Sequence, residues 1–198
     1  RAFDDPSVIH PANKIDPKDD LSTMLNEILF ADLEILDRAV DRLEDSIKKS
    51  KASERPNVVK QQEIVKKVKQ GLEDGIPLRR QQLTESEHSF LVNYQLLTGK
   101  PVIVAFNTGE TSDPITLQNV DWDYDIDPEL GEVSLSAKLE SELALMSDEE
   151  EAEFRRDLGL GESALTQVIR MTYSTLGLAS FLTVGEDEVR AWSIPAGL

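Results

Sequence analysis

The chain has 198 residues, no cysteine, 21 Lys and Arg against 38 Asp and Glu, and a formal net charge of −17. That length buries a sizeable core unaided, and the missing thiols exclude a disulfide scaffold, thiolate-bound zinc, a CxxC redox pair and a cysteine nucleophile. No apolar run approaches the roughly 20 residues of a bilayer crossing and no basic-then-apolar leader opens the sequence, so the expectation is a soluble, cytoplasmic protein with no membrane partner.

The first residues, Arg1-Ala2-Phe3-Asp4-Asp5, lack an initiator methionine and are expected to belong to a truncated piece. Residues 1–99 carry 15 basic and 18 acidic side chains, whereas residues 100–198 carry 6 and 20. The long-range field therefore repels nucleic acid, and sequence-specific DNA binding is not expected. Between Ser46 and Arg80 the balance reverses, with ten basic groups against four acidic ones. Screening over about 8–10 Å leaves such a patch free to touch phosphate at short range.

From Leu21 to Ile47 the apolar residues Leu29, Leu33, Leu36, Val40, Leu43 and Ile47 fall at alternating spacings of 4 and 3, which predicts one long helix with a heptad seam. Asp19 and Asp20 suit its start, and Lys48, Lys49 and Lys51 suit its end. Lys51–Asn57, with Pro56, breaks the helix. A second helix carries Val58, Val65, Val68 and Leu72, with Gln61 as a polar intruder, and Gly75 and Pro77 end it. Two such seams joined by a short turn predict an antiparallel helical hairpin.

Thr84-Glu85-Ser86-Glu87 is a capping box opening a short helix to about Gln95. Pro101–Phe106 is an unbroken apolar run, read as a strand of a parallel sheet buried on both faces. Glu132–Leu135 is a second strand. Ser147–Glu150 caps a helix that Gly159 ends, and a further helix runs from about Ala164 to Leu176. Phe181–Val184 and Val189–Ile194 read as strands around Gly185-Glu186-Asp187-Glu188. The predicted class is α/β, a mostly parallel sheet carrying a helical hairpin.

The strand at Pro101–Phe106 runs into Asn107-Thr108-Gly109-Glu110, and the next strand runs into Ser136-Ala137-Lys138. Ligands of open α/β sheets bind at the carboxyl ends of strands, so these loops are the candidate walls of a nucleobase pocket. An Asn amide supplies a donor and an acceptor, and small residues let backbone N–H groups approach a base edge.

In these two tetrapeptide and tripeptide segments the chain resembles the YchF / Obg-like ATPase family at its fourth and fifth guanine-nucleotide-binding motifs. Arg1-Ala2-Phe3-Asp4-Asp5 with His10 and Asp16-Pro17 resembles the stretch after that family's third motif. Leu96-Leu97-Thr98-Gly99-Lys100-Pro101 is similar to the lead into its fourth. Gly185-Glu186-Asp187-Glu188-Val189-Arg190-Ala191-Trp192-Ser193-Ile194 is similar to the opening of its C-terminal TGS domain. The blocks keep the family's order over nearly the whole chain.

The resemblance implies part of a P-loop NTPase, Rossmann-like domain at residues 1–20 and 97–178, an inserted antiparallel coiled-coil hairpin at 21–96, and the start of a TGS-like domain at 179–198. It implies ATP or GTP as ligand, with Asn107 and the Thr108 backbone at the base, Ser136 and Ala137 closing the pocket through N–H groups, Lys138 over the ring, and Glu110 where related GTPases carry Asp. It also implies a ribosomal partner, RNA or protein, met by a basic tip of Lys48, Lys49, Lys51, Arg55, Lys60, Lys66, Lys67 and Lys69. The sequence has no G-x-x-x-x-G-K-[ST] and no Asp-x-x-Gly switch motif, so no catalytic residue is assigned. Mg²⁺ is expected only in a protein that has those segments, and this chain alone is expected to hydrolyse nothing. The competing expectation is a non-catalytic ribosome- or protein-interaction module with a degenerate pocket.

Asp121, Asp123, Asp125, Asp127, Glu129 and Glu132 fall at positions 1, 3, 5, 7, 9 and 12 of a calcium loop. Ile126 stands where that loop needs Gly, and Pro128 follows, so a solvated acidic loop is expected and no metal site. His10 and His88 have no ligand spacing around them and are read as structural or solvent-facing rather than metal-binding or catalytic.

Overall fold

The computed structural model describes residues 1–123, 127 and 129–196. It falls into two compact units, residues 1–20 with 102–198, and residues 21–101. No helix among the described residues is long and apolar enough to cross a membrane.

Helix α1 (Pro17–Lys49) starts four residues earlier than the periodicity predicts. The Asp16 carboxylate accepts the Asp19 N–H at 3.0 Å and caps the helix, while Pro17, which has no N–H to lose, takes the first position. Asp19 and Asp20 sit inside the first turn, where their charge complements the dipole, rather than at the cap. Helix α2 (Arg55–Glu73) carries Pro56 in its first turn, so that proline starts the second helix and is no part of the break before it. Lys69 Nζ lies 2.7 Å from Asp37 and Lys66 Nζ 3.6 Å from Glu44, so later residues of α1 meet earlier residues of α2 and the two run antiparallel.

The core of this unit is one cluster. Leu36 and Ala39 of α1 meet Ile64, Val65, Val68 and Leu72 of α2, and Leu78, Leu91 and Leu96 close it. The buried polar side chain on α2 is Gln62, one turn before Val65, not Gln61. Helix α3 (Glu85–Leu91) is opened by the capping box, with Thr84 Oγ1 accepting the Glu87 N–H and the Glu87 carboxylate accepting the Thr84 N–H. The Glu87 carboxyl is pulled down to about 2 by that N–H and by Lys67.

Asp32 is the unexpected residue here. It is fully buried on α1, and its two carboxylate oxygens accept the Leu97 N–H at 2.9 Å and the Thr98 N–H at 2.7 Å. A buried carboxylate is tolerated only when its lone pairs are met, and two backbone donors meet them.

In the other unit, β1 (Ile103–Asn107) and β2 (Gly131–Leu135) pair in parallel, with Ile103 opposite Gly131 and Asn107 opposite Leu135. Ala2 bridges Thr108 in parallel and donates its N–H to the Asn107 carbonyl at 2.8 Å, which lays the first residues beside β1. One face of the sheet is covered by residues 115–122, because the Ser134 hydroxyl accepts the Ile115 N–H and the Glu132 carboxylate accepts the Leu117 N–H. Leu117, Trp122 and Phe106 are buried.

Helix α4 (Ala137–Leu143), which no apolar periodicity announces, follows β2 directly. Helices α5 (Asp148–Asp157) and α6 (Ala164–Thr175) come next, and α6 lies on the second sheet face. A Cβ on Gly131 would stand 3.0 Å from Thr175 Oγ1 and 3.1 Å from Met171 Sδ, so glycine is what lets α6 come this close. That contact is at the Ile103 end of β1, and Ala105 is exposed. The strand is therefore not buried on both faces as the apolar run predicts: the covering helix crosses only one end of it.

Strands β3 (Leu178–Val184) and β4 (Val189–Pro195) form a separate antiparallel pair, longer than predicted by three residues at its start. The described sheets are one parallel pair, β1–β2, as expected for the α/β part, and one antiparallel pair, β3–β4, in which the tight turn at 185–188 folds the chain straight back on itself.

Candidate functional site

Because β1 and β2 are parallel and in register, their carboxyl ends finish side by side. There the Asn107 side-chain Oδ1 accepts the Ala137 N–H at 3.0 Å. Thr108 donates both its N–H and its hydroxyl to the Leu135 carbonyl, at 2.8 and 3.2 Å. The Ser136 hydroxyl accepts the Leu139 N–H at 3.4 Å and caps α4, which turns the chain away from the strand tip. The two loops, 29 residues apart in sequence, are tied together by side chain and backbone alike.

A cleft of about 590 Å³ opens at this edge, with Asn107, Thr108, Gly109, Glu110, Ser136 and Lys138 on its wall. That volume lies within the range of small-ligand pockets, roughly 300–1,000 Å³. A Cβ on Gly109 would stand 2.9 Å from Ser112 Oγ, so a larger residue there would turn the exposed Ser112 side chain aside. The Lys138 ammonium contacts a Glu110 carboxylate oxygen at 2.5 Å, and this contact holds Lys138 above the ordinary lysine range. Asp5, also on the wall, is held below the usual carboxylate range, first by the Ser7 hydroxyl and then by the Ser7 N–H.

All six residues singled out at the two loops therefore meet at one edge. The residue types alone do not single out Ala2, Phe3 and Asp5 as cleft residues, yet all three line it. The Phe3 ring lies 4.4 Å beneath the Arg1 guanidinium, which also donates to the Phe3, Asp5 and Val8 carbonyls. Apart from the family resemblance, what puts this segment at the cleft is its place beside β1, seen in the Ala2–Thr108 bridge and the Ala2 N–H bond to the Asn107 carbonyl.

His10 is not isolated. Its Nε2 lies 3.1 Å from Asp20 Oδ2 while Nδ1 accepts the Ala12 N–H at 3.2 Å, so the hydrogen bonds place the ring proton on Nε2. His88 is exposed at the end of α3.

The basic set divides in two. Lys66 pairs with Glu44 and Lys69 with Asp37 and Glu73 along the paired helices, Lys67 pairs with Glu87 of α3, and Lys48 pairs with Asp45. Among the described residues Lys49, Lys51, Arg55 and Lys60 have no ion pair, and they are exposed around the α1–α2 junction. Asp125, Ile126 and Pro128 of the acidic stretch lie outside the described residues, and among those described no three His, Asp or Glu side chains converge.

No family model matches the chain. Individual proteins do. It is 35% identical over 202 residues to the ribosome-binding ATPase YchF of Bacillus subtilis, covering 100% of this chain and 54% of that one. Against Obg-like ATPase 1 of Caenorhabditis elegans it is 30% identical, over 100% of this chain and 50% of the relative. The solved Schizosaccharomyces pombe YchF GTPase superposes with a TM-score of 0.82 at 30% identity, again over 100% of this chain and 54% of that one. Along its whole length the chain is homologous to the YchF / Obg-like ATPases. It spans about half the length of these YchF and Obg-like relatives. The YchF likeness includes the small parallel sheet on which the Asn107 and Ser136 loops stand.

Proposed function

We propose that the chain supplies the base-recognition part of a YchF-like, ribosome-associated, cytoplasmic ATPase or GTPase, with α1 and α2 as its coiled-coil arm and 179–198 as the start of a TGS-like domain. The observation that carries this reading is the Asn107–Ala137 hydrogen bond, which brings both base-binding loops to the mouth of one cleft. With Oδ1 engaged, the Asn107 amide keeps its two N–H donors for a ligand, and purine N7 is an acceptor in both adenine and guanine. The Phe3 ring offers an apolar surface for the base.

The cleft fits a base better than it fits Mg²⁺. No three acidic or histidine side chains converge among the described residues, and the sequence has no P-loop lysine or hydroxyl, so no phosphoryl-transfer step is assigned to these residues. The ribosomal partner is supported by the names of the relatives and by four exposed cations at the α1–α2 junction that have no ion pair among the described residues, which suit phosphate. Lys66, Lys67 and Lys69 are weaker candidates for that contact than the sequence suggests, since their charge is already met by α1, α2 and α3.

The test is titration of the chain with ADP. Without phosphate contacts the expected affinity is millimolar, on the order of −4 kcal/mol. Asn107→Ala, which removes both the base donor and the tie to Ala137, weakens it about tenfold. Binding unaffected by that substitution overturns the assignment of the base to this cleft.

A further inference from the structure

Ser136 and Lys138 bring the start of α4 to the cleft wall, and a helix of seven residues does not hold a direction by itself. At its start Asn107 Oδ1 accepts the Ala137 N–H, and at its end Leu143 is fully buried. Between them stands Glu140, one turn beyond Ser136, which does not line the cleft. Arg155 of α5 donates one guanidinium N–H to each Glu140 carboxylate oxygen, at 3.1 and 2.7 Å. Its Nε donates to Glu151 at 2.7 Å. The Glu140 carboxylate also accepts the N–H of Ala164, the first residue of α6, and α6 packs on β1 and β2. Burial pushes the Glu140 carboxyl up, but Arg155 and the Ala164 N–H outweigh it and hold the group below the ordinary carboxylate range. With Arg155 at 13% exposure and Glu140 at 25%, water screens this forked pair far less than a surface pair.

We propose, resting on the purine-nucleotide reading above, that Glu140 is a positioning residue for the cleft: gripped by Arg155 and by the start of α6, it fixes the direction of α4 and so keeps the Ala137 N–H on Asn107. It touches no ligand. Its leverage is geometric, because a tilt of about 10° around the buried Leu143 end, over the roughly 9 Å from Leu143 to Ala137, moves Ala137 by about 1.5 Å. A shift of that size parts a 3.0 Å hydrogen bond. Freed of Ala137, the Asn107 amide no longer has its oxygen engaged and its two donors reserved for a base. Arg155 lies 18 residues beyond Ala137 in sequence and acts on the cleft only through Glu140.

The test is titration of the full chain with ADP, read by NMR at a temperature where each variant is folded by its own melting curve. Arg155→Met removes the fork and keeps an apolar stem, and Glu140→Gln keeps the acceptor for the Ala164 N–H and loses the charge. Each is expected to weaken ADP about three- to fivefold and, before any ligand is added, to move the Ala137 amide and Asn107 side-chain N–H₂ resonances. In Arg155→Met/Glu140→Gln the affinity is no weaker than in the weaker single variant, because both remove one interaction. A pair that only stabilises the fold lowers the melting temperature while leaving the affinity of the folded chain and those two resonances where they were. That result, or losses that multiply in the double variant, overturns the role of Glu140 and leaves the purine site standing. Glu140→Gln carries the same reading should Arg155→Met fail to fold. An unaltered chain that shows no response to ~10 mM ADP overturns the purine reading as well.

Discussion

Residues 21–101 close around one apolar cluster in which Leu36, Val65, Val68 and Leu72 are all at 0% exposure, whereas the α/β unit leaves Leu165, Leu182, Val184 and Val189 between 62% and 77% exposed. The helical unit is held by burial. The α/β unit also buries Phe106, Leu117 and Leu143, and in addition ties its loops with side chains that bind backbone groups, as Glu132 does at Leu117, Ser134 at Ile115 and Asn107 at Ala137. Substitutions should therefore act through stability in the first unit and through local geometry and ligand contact in the second.

The largest expected effect is in the helical core. Leu72→Ala removes a fully buried side chain and should cost about 3 kcal/mol of unfolding free energy by denaturant titration. A cost below about 1 kcal/mol would mean that the α1–α2 seam collapses around the loss and that burial does not dominate there. Asp32→Asn comes next. It trades one acceptor oxygen for an N–H₂ facing a backbone donor, and about 2 kcal/mol is expected, read by the same titration. A neutral result would show that the Leu97–Thr98 backbone finds water instead.

The smallest effect is titratable. Glu87 ionises far more readily in the fold, at about 2 against an ordinary 4.5, so its stabilising contribution is complete above the ordinary value. It is lost as pH falls from about 4.5 through about 2. Glu87→Gln keeps the capping box but not the charge, so its melting temperature should lie below the parent's at pH 7 and converge with it near pH 2. A gap that is the same at both pH values would remove the charge from the account.

The contrast between the units also explains what could be read from residues alone. The alternating seam of α1 and the capping boxes at Thr84 and Ser147 are local patterns, and they placed helices where the structure has them. Helix α4 was not visible because in seven residues only Leu139 and Leu143 mark an apolar face. Asp32 gave no signal because its partners lie 65 and 66 residues away, and an acid on a helix reads as surface. The loop motifs were legible as strand ends. Their meeting depends on parallel register and on Ala2 lying beside β1, which are long-range facts without a local signature.

The measurement that tests the central claim most directly is an amide-resolved NMR titration of the chain with ADP. The account predicts that the Asn107 side-chain N–H₂, the Ala137 backbone amide and the Gly109 amide shift together along one saturation curve, with the β3–β4 pair and the α1–α2 junction unmoved. Saturable shifts confined to those distant segments, with Asn107 and Ala137 silent, would contradict it.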